Sequence, residues 1–434
     1  MNRKIFSLLI FCIISISVYA QHGTAMKIIV NKCGSCHKIG GDAPFSLTTY
    51  PEVKKRISTI KAVVETGYMP PWKADNDYCS YSNDKSLSKE DKKAILDWIA
   101  KGAKIEKAEG AKSTNAVDPA TSLPGIKADQ RTITIKSDFR YTIKGDNTER
   151  FVLFKVPFEY DKEFNIAGIE LISDNKRAIH HVNYGIFSVN DLNVNLTAGN
   201  KFIETDNPAS NQAEYDHLTS HPAYYTGWIP GSSGESYPEN FGWVMPKRGV
   251  IIFTVHFSAI PVNETIDFGI RLHTGSNPIQ RKIKIISFGS GGVGEKDITP
   301  NFVIEPNKIN RFELKMFTRS AQSVMYVWPH MHLLGKSFKA YAVSPAKDTI
   351  PLVFIPQWDY RWQELYRMKQ LTFIPAGSTL VMEGEYDNTH NNPLNPNSPP
   401  QRILQTKNME SKKEMFTLLM IYVPYEPGDE SIKL

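Results

Sequence analysis

Cysteine is scarce in this chain, with four residues in 434. Cys12 falls in an N-terminal leader, which leaves Cys33, Cys36 and Cys79. Two of these share one short motif, so a disulfide framework is excluded as the source of stability. A chain of this length buries enough apolar surface without one. An excess of one charge is lacking too: 51 lysines and arginines against 45 acids give +6, with no basic run. That balance excludes nucleic acid as a partner. Long apolar runs are missing as well, and the stretch Ile5 to Val18 is too short for a membrane span. It follows Arg3 and Lys4 and precedes Val18-Tyr19-Ala20, the pattern of a secretory leader cleaved after Ala20. Phe11 before Cys12 does not fit a lipoprotein cleavage box. Loss of Arg3 and Lys4, with no acid removed, takes the net charge from +6 to +4.

What the chain does have is a change of periodicity near residue 130. Before it, the pattern is helical over 21–106. Thr49 with Glu52 makes a capping box ahead of a helix running to Gly67, and Ser88 with Asp91 makes a second, closed by Gly102. Residues 107–129 are polar, rich in Ala, Ser, Thr and Pro, and read as a linker. From 130 onward, short alternating runs such as Thr132-Ile133-Thr134-Ile135, Val250 to Phe257 and Thr379 to Glu385 alternate with Gly, Pro and Asn clusters. That is more β material than one sandwich holds, so two dissimilar sandwiches are expected, over 130–290 and 291–434. The expected fold is multidomain: a small all-α domain, then an all-β pair.

Cys33-Gly34-Ser35-Cys36-His37 is the thioether-attachment pattern for a covalent c-type haem, although CxxC also serves zinc and redox chemistry. Its position behind a leader favours haem and a bacterial periplasm or cell surface. His37 would take one axial position. Met69, held between Tyr68 and Pro70-Pro71-Trp72, would take the other. This stretch resembles small cytochrome c domains that carry a Met-Pro-Pro-Trp segment and end in a helix.

Downstream come His180-His181, His256, His330-Met331-His332 and Met415. Residues at i and i+2 of a strand share a face, so His330 and His332 form a natural pair. Met415 adds a soft sulfur that copper accepts and zinc does not. His180 and His181 are neighbours and share a metal only at a strand end or bulge, with His256 completing three nitrogen donors. A lone histidine among strands is more often a core residue, and it is the combination that carries the reading of two copper sites.

The Ile-His180-His181-Val segment, the Val-His256-Phe strand, His330-Met331-His332-Leu-Leu-Gly-Lys and Lys413-Glu414-Met415 together resemble the copper type II, ascorbate-dependent monooxygenases, the peptidylglycine α-hydroxylating and dopamine β-hydroxylating family. The order matches over some 250 residues. The resemblance implies two jelly-roll-like domains. It implies an electron-transfer copper on His180, His181 and His256, and an oxygen-activating, catalytic copper on His330, His332 and Met415. The amidating members hold a substrate carboxylate with an arginine and a tyrosine where this chain has Trp328 and Leu419, a pair that makes no carboxylate clamp.

The expectation is a secreted monooxygenase using O2, an organic substrate and an electron donor protein or small reductant, with one haem and two coppers. Its rival is a non-enzymatic cell-surface haem protein fused to a copper- or ligand-binding β module. His22, His217, His221, His273 and His390 read as surface or loop residues. Tyr224, Tyr225, Trp228, Trp243, Trp358, Tyr360 and Trp362 read as either the lining of a substrate cleft or packing aromatics, the commoner fate of such residues.

Overall fold

The computed structural model describes residues 25–104, 123, 126, 130–205, 207, 209–232, 234–275, 278–405 and 413–434. The leader 1–20 and almost all of the linker 107–129 lie outside the described residues. The chain divides into two compact units. One is drawn from Met1–Trp72 and Asp84–Thr121, the other from Lys73–Asn83 and Ser122–Leu434. Among the described residues no helix is long and apolar enough to cross a membrane.

In the first unit, Thr49 caps the helix Tyr50–Lys55, and its backbone N–H donates to Glu52 Oε2 at 2.8 Å. Arg56 breaks the helix with φ −112° and ψ 13°, and helical structure resumes at Ile57–Glu65. Ser88 caps Lys89–Ala100 by accepting the Asp91 N–H at 3.0 Å. Gly102, at φ +89°, lies just beyond that helix in the left-handed region that favours glycine. Ile29, Val53, Ile60, Ile95 and Trp98 form the small core.

The expected all-α cytochrome-type domain at the N-terminus is corrected by these facts. Strands take 41% of the described residues and helices 14%. The three helices above run only six, nine and twelve residues. The physical reason lies after Met69. Pro70 and Pro71 supply no backbone donors, and the Asp and Asn residues at 75–77, 83 and 84 favour turns over helix. Residues 73–83 are therefore not helical, and they join the β unit instead. The Asp75 N–H donates to Phe354 O at 2.8 Å and the Ser82 N–H to Arg367 O at 2.9 Å, while Tyr81 bridges to Met368.

The second unit is built from mainly antiparallel sheets, with one short parallel pairing of Arg281–Lys282 against Phe241–Met245. A five-stranded sheet runs Phe202–Glu204, Arg150–Glu159, Arg248–Phe257, Ile179–Ser188, Pro222–Trp228. It buries Phe154 and Phe253 against Phe268 of a six-stranded sheet, with centroids 4.3 and 5.2 Å away. Two two-stranded sheets and two four-stranded sheets complete the strands of this unit among the described residues. One four-stranded sheet runs Lys284–Gly289, Thr417–Pro424, Gln322–His330, Tyr366–Ile374. The other runs Ile309–Phe317, Thr379–Asp387, Gly335–Val343, Thr349–Ile355. Met325, Tyr326, Trp328, Leu419 and Ile421 belong to the same apolar cluster as the first pair of sheets. The two histidine-bearing parts thus share one core.

Within that core Glu235 is 2% exposed. Its carboxylate accepts from the hydroxyls of Thr226 and Tyr224. Burial still dominates and pushes its pKa from the usual 4.5 up to about 7. The sign follows: a carboxyl raised in the folded state stabilises fully below 4.5 and loses that contribution as pH rises towards 7. At roughly 1.4 kcal/mol per pH unit the loss is on the order of 3 kcal/mol. Glu235→Gln should flatten the stability profile across this window, read as urea midpoints at pH 5 and pH 8. An unchanged difference between the two midpoints would mean that Glu235 does not titrate there.

Candidate metal centres

His256 and His181 are cross-strand partners, and the next pair is Phe257 with Ile179. The register shift leaves His180 as the extra residue of a β-bulge, so that both adjacent imidazoles turn to one side. One ligand atom each from His180, His181 and His256 lie within 4.8 Å of one another. His180 Nδ1 and His181 Nδ1 are 3.0 Å apart. His256 stacks on its other cross-strand partner, Phe151, at 4.0 Å and 14°.

The proton positions follow from the partners. His256 Nε2 lies 3.1 Å from Glu149 Oε2, which only accepts when ionised, and the pKa of Glu149 is held below its usual value chiefly by this bond. The ring proton therefore sits on Nε2, and Nδ1 is left buried and without a hydrogen-bond partner. Burial, and then the neighbouring His256, lowers the pKa of His180 to about 3 and that of His181 well below its usual value. Neutral imidazoles are what a metal requires.

The second centre obeys the same logic through the opposite nitrogens. His330 ends the strand Gln322–His330, and His332 follows two residues later. Gln363 Nε2 donates to Tyr360 O at 2.8 Å, which orients the amide so that Oε1 accepts from His330 Nδ1. His332 Nδ1 donates to Lys413 O at 2.7 Å. Both protons are thereby placed on Nδ1, and the two bare Nε2 atoms face each other at 3.1 Å. Lone pairs in that arrangement repel unless a cation lies between them. Burial, then His332, lowers the pKa of His330 to about 3.

Met415 lies just before the strand Thr417–Pro424, where Thr417 pairs with His330. Glu414 fastens the segment, accepting the His332 and Leu334 N–H groups at 2.8 and 2.6 Å. Complete burial raises its own pKa to about 8.

Trp328 and Leu419 are direct cross-strand partners, 6% and 5% exposed. The Trp328 indole lies against Gly227, where an added Cβ would come within 2.1 Å of the ring. Glycine is needed there for close approach.

The CxxCH residues occupy one turn, with the His37 N–H donating to Cys33 O at 2.9 Å. Cys33 and Cys36 form no disulfide among the described residues, and burial raises the pKa of Cys33 to about 11. His37 Nδ1 lies 3.0 Å from Phe45 O, so it carries the proton and leaves Nε2 for an iron. This suits the haem reading. Met69 sits on the loop beyond Ile57–Glu65, its N–H donating to Val63 O at 3.1 Å, and no bond joins it to His37 among the described residues.

Glu149, Gln363 and the anchoring role of Glu414 were not visible in sequence. Glu149 and Gln363 lie 107 and 33 residues from the histidines that they orient. Glu414 stood inside a quoted motif, but nothing there gave its carboxylate a task.

No protein-family model matches the chain, and no curated protein matches it. Among solved structures it is similar to the structure of infectious bursal disease virus Gt strain, at 10% identity and TM-score 0.16, over 71% of this chain and 78% of that one. It is also similar to the PBSX exported protein XepA, at 9% identity and TM-score 0.09, over 59% and 85%.

Proposed function

We propose that this chain is a secreted, haem- and copper-dependent monooxygenase. The observation that carries the reading is the pair of histidine clusters, one with ligand atoms of His180, His181 and His256 within 4.8 Å of one another and one with the Nε2 atoms of His330 and His332 3.1 Å apart. Bound copper would supply one-electron redox chemistry and O2 activation, placing one oxygen atom in a C–H bond and releasing the other as water at the cost of two electrons and two protons.

The chain's own residues have distinct tasks. His180, His181 and His256 offer nitrogen only, a set suited to holding and passing an electron. His330 and His332 with Met415 offer two nitrogens and a thioether, a set that favours copper(I) and leaves a position open. Glu149, Gln363 and the Lys413 carbonyl keep the imidazoles in the metal-binding tautomer. Cys33, Cys36 and His37 would hold a haem that feeds electrons from an external donor, with Met69 completing its ligation. Trp328 and Leu419 supply no anion clamp, so the substrate is held by means other than a carboxylate pair.

The test is metal and haem analysis of the mature protein, followed by oxygen uptake with small aromatics and peptides. Two coppers and one haem per chain are expected, together with incorporation of one atom from labelled O2 into a product. Haem without copper would overturn the reading. Efficient turnover of glycine-extended peptides would overturn the assignment of Trp328 and Leu419.

A further inference from the structure

The strands Thr349–Ile355 and Tyr366–Ile374 are joined by residues 356–365, and this one loop touches both histidine clusters. The Tyr360 ring stacks on His180 with centroids 5.4 Å apart and planes at 25°. Three residues on, Gln363 Oε1 accepts a hydrogen bond from His330 Nδ1, and its Nε2 donates back to Tyr360 O at 2.8 Å. The loop is pinned on either side of the paired histidines. Trp328 Nε1 donates to Gln363 O at 2.9 Å, and Trp358 Nε1 donates to His332 O at 3.2 Å. Arg361 closes on Asp359 at 2.7 and 2.8 Å, stiffening the turn between them.

We propose that the Tyr360–Gln363 loop couples the two centres, so that filling the trihistidine centre organises His330 and strengthens metal binding at the His330–His332 centre. The proposal rests on the reading that both clusters bind metal. The sequence of contacts is short: the His180 ring against the Tyr360 ring, the Tyr360 carbonyl to the Gln363 amide, and the amide to His330. A metal that fixes His180 removes freedom from Tyr360 and Gln363, and less ordering then remains to be done at His330. The effect is reciprocal, because a coupling free energy belongs to both sites. Its sign separates it from plain electrostatics. Two cations in one core repel. Repulsion alone would make the second metal bind more weakly, and the loop predicts that it binds more tightly.

The test uses the full chain and copper(I), presented in competition with a chromophoric chelator. His256→Ala, which disables the first centre, should weaken copper(I) at the second by roughly tenfold, within the usual range of site coupling. Combined with Tyr360→Ala, the same His256→Ala change should have no further effect, whereas Tyr360→Phe, which keeps the ring, should preserve the coupling. If Tyr360→Ala does not fold, Tyr360→Leu replaces it, keeping bulk without the ring. Independent filling of two centres in the wild type would overturn the coupling and leave the proposed function standing, as would an equal penalty for His256→Ala with and without Tyr360. Failure of either cluster to bind copper would overturn both.

Discussion

Met415→Ala is expected to lower oxygen insertion at least 100-fold while the trihistidine centre keeps its metal. The order of magnitude follows from what weakening a ligand's support alone costs, about 10- to 100-fold, a figure that loss of the ligand itself should exceed. Met415 is suited to this separation because it is half-buried on a loop. The segment stays in place through the Glu414 carboxylate and the Lys413 carbonyl, neither of which the substitution touches. X-ray absorption of the copper(I) protein should lose its sulfur scatterer, and oxidation of the haem by the loaded protein should persist. Product formed at the wild-type rate would remove Met415 from the reaction.

The other large effect is expected at the trihistidine centre. His256→Ala should halve the copper content, from two to one per chain, and the sulfur scatterer should remain. The substitution removes the ring whose Nδ1 has no hydrogen-bond partner and leaves Glu149 facing a void. Product should then fall far below one per chain, because each oxygen insertion needs two electrons and the remaining copper stores only one. The measurement is product per chain in a pre-reduced, substrate-saturated burst. Sustained turnover with one copper would mean that the two clusters do not divide the work.

Several of these features were legible in the sequence because their signals are local. The capping boxes at Thr49 and Ser88 formed as spaced. The histidine pairs were visible as neighbours, and the need for a bulge at His180 followed from strand geometry, which the register shift beside His256 supplies. The strand Gln322–His330 was harder to bound, since all nine of its residues are buried and no alternation marks its ends. The all-α N-terminal domain failed for a long-range reason: hydrogen bonds from 73–83 to Phe354 and Arg367 outweigh helical patterning on either side. Glu149 and Gln363 were invisible because tautomer control depends on a partner brought in by tertiary folding.

The close fit of Gly227 against Trp328 constrains how this protein can change over evolutionary time. While the indole is present, any side chain at 227 would collide with it. If the indole is lost first, a buried void remains that costs about 3–5 kcal/mol. An arginine entering alone at 328 would bury an unpaired charge opposite Leu419, at a cost of several kcal/mol. Each single step towards an anion-binding pocket is therefore selected against before the new preference appears. Gly227, Trp328 and Leu419 are thus bound by mutual dependence, and a change at one of them is tolerated only with a matching change at its neighbour.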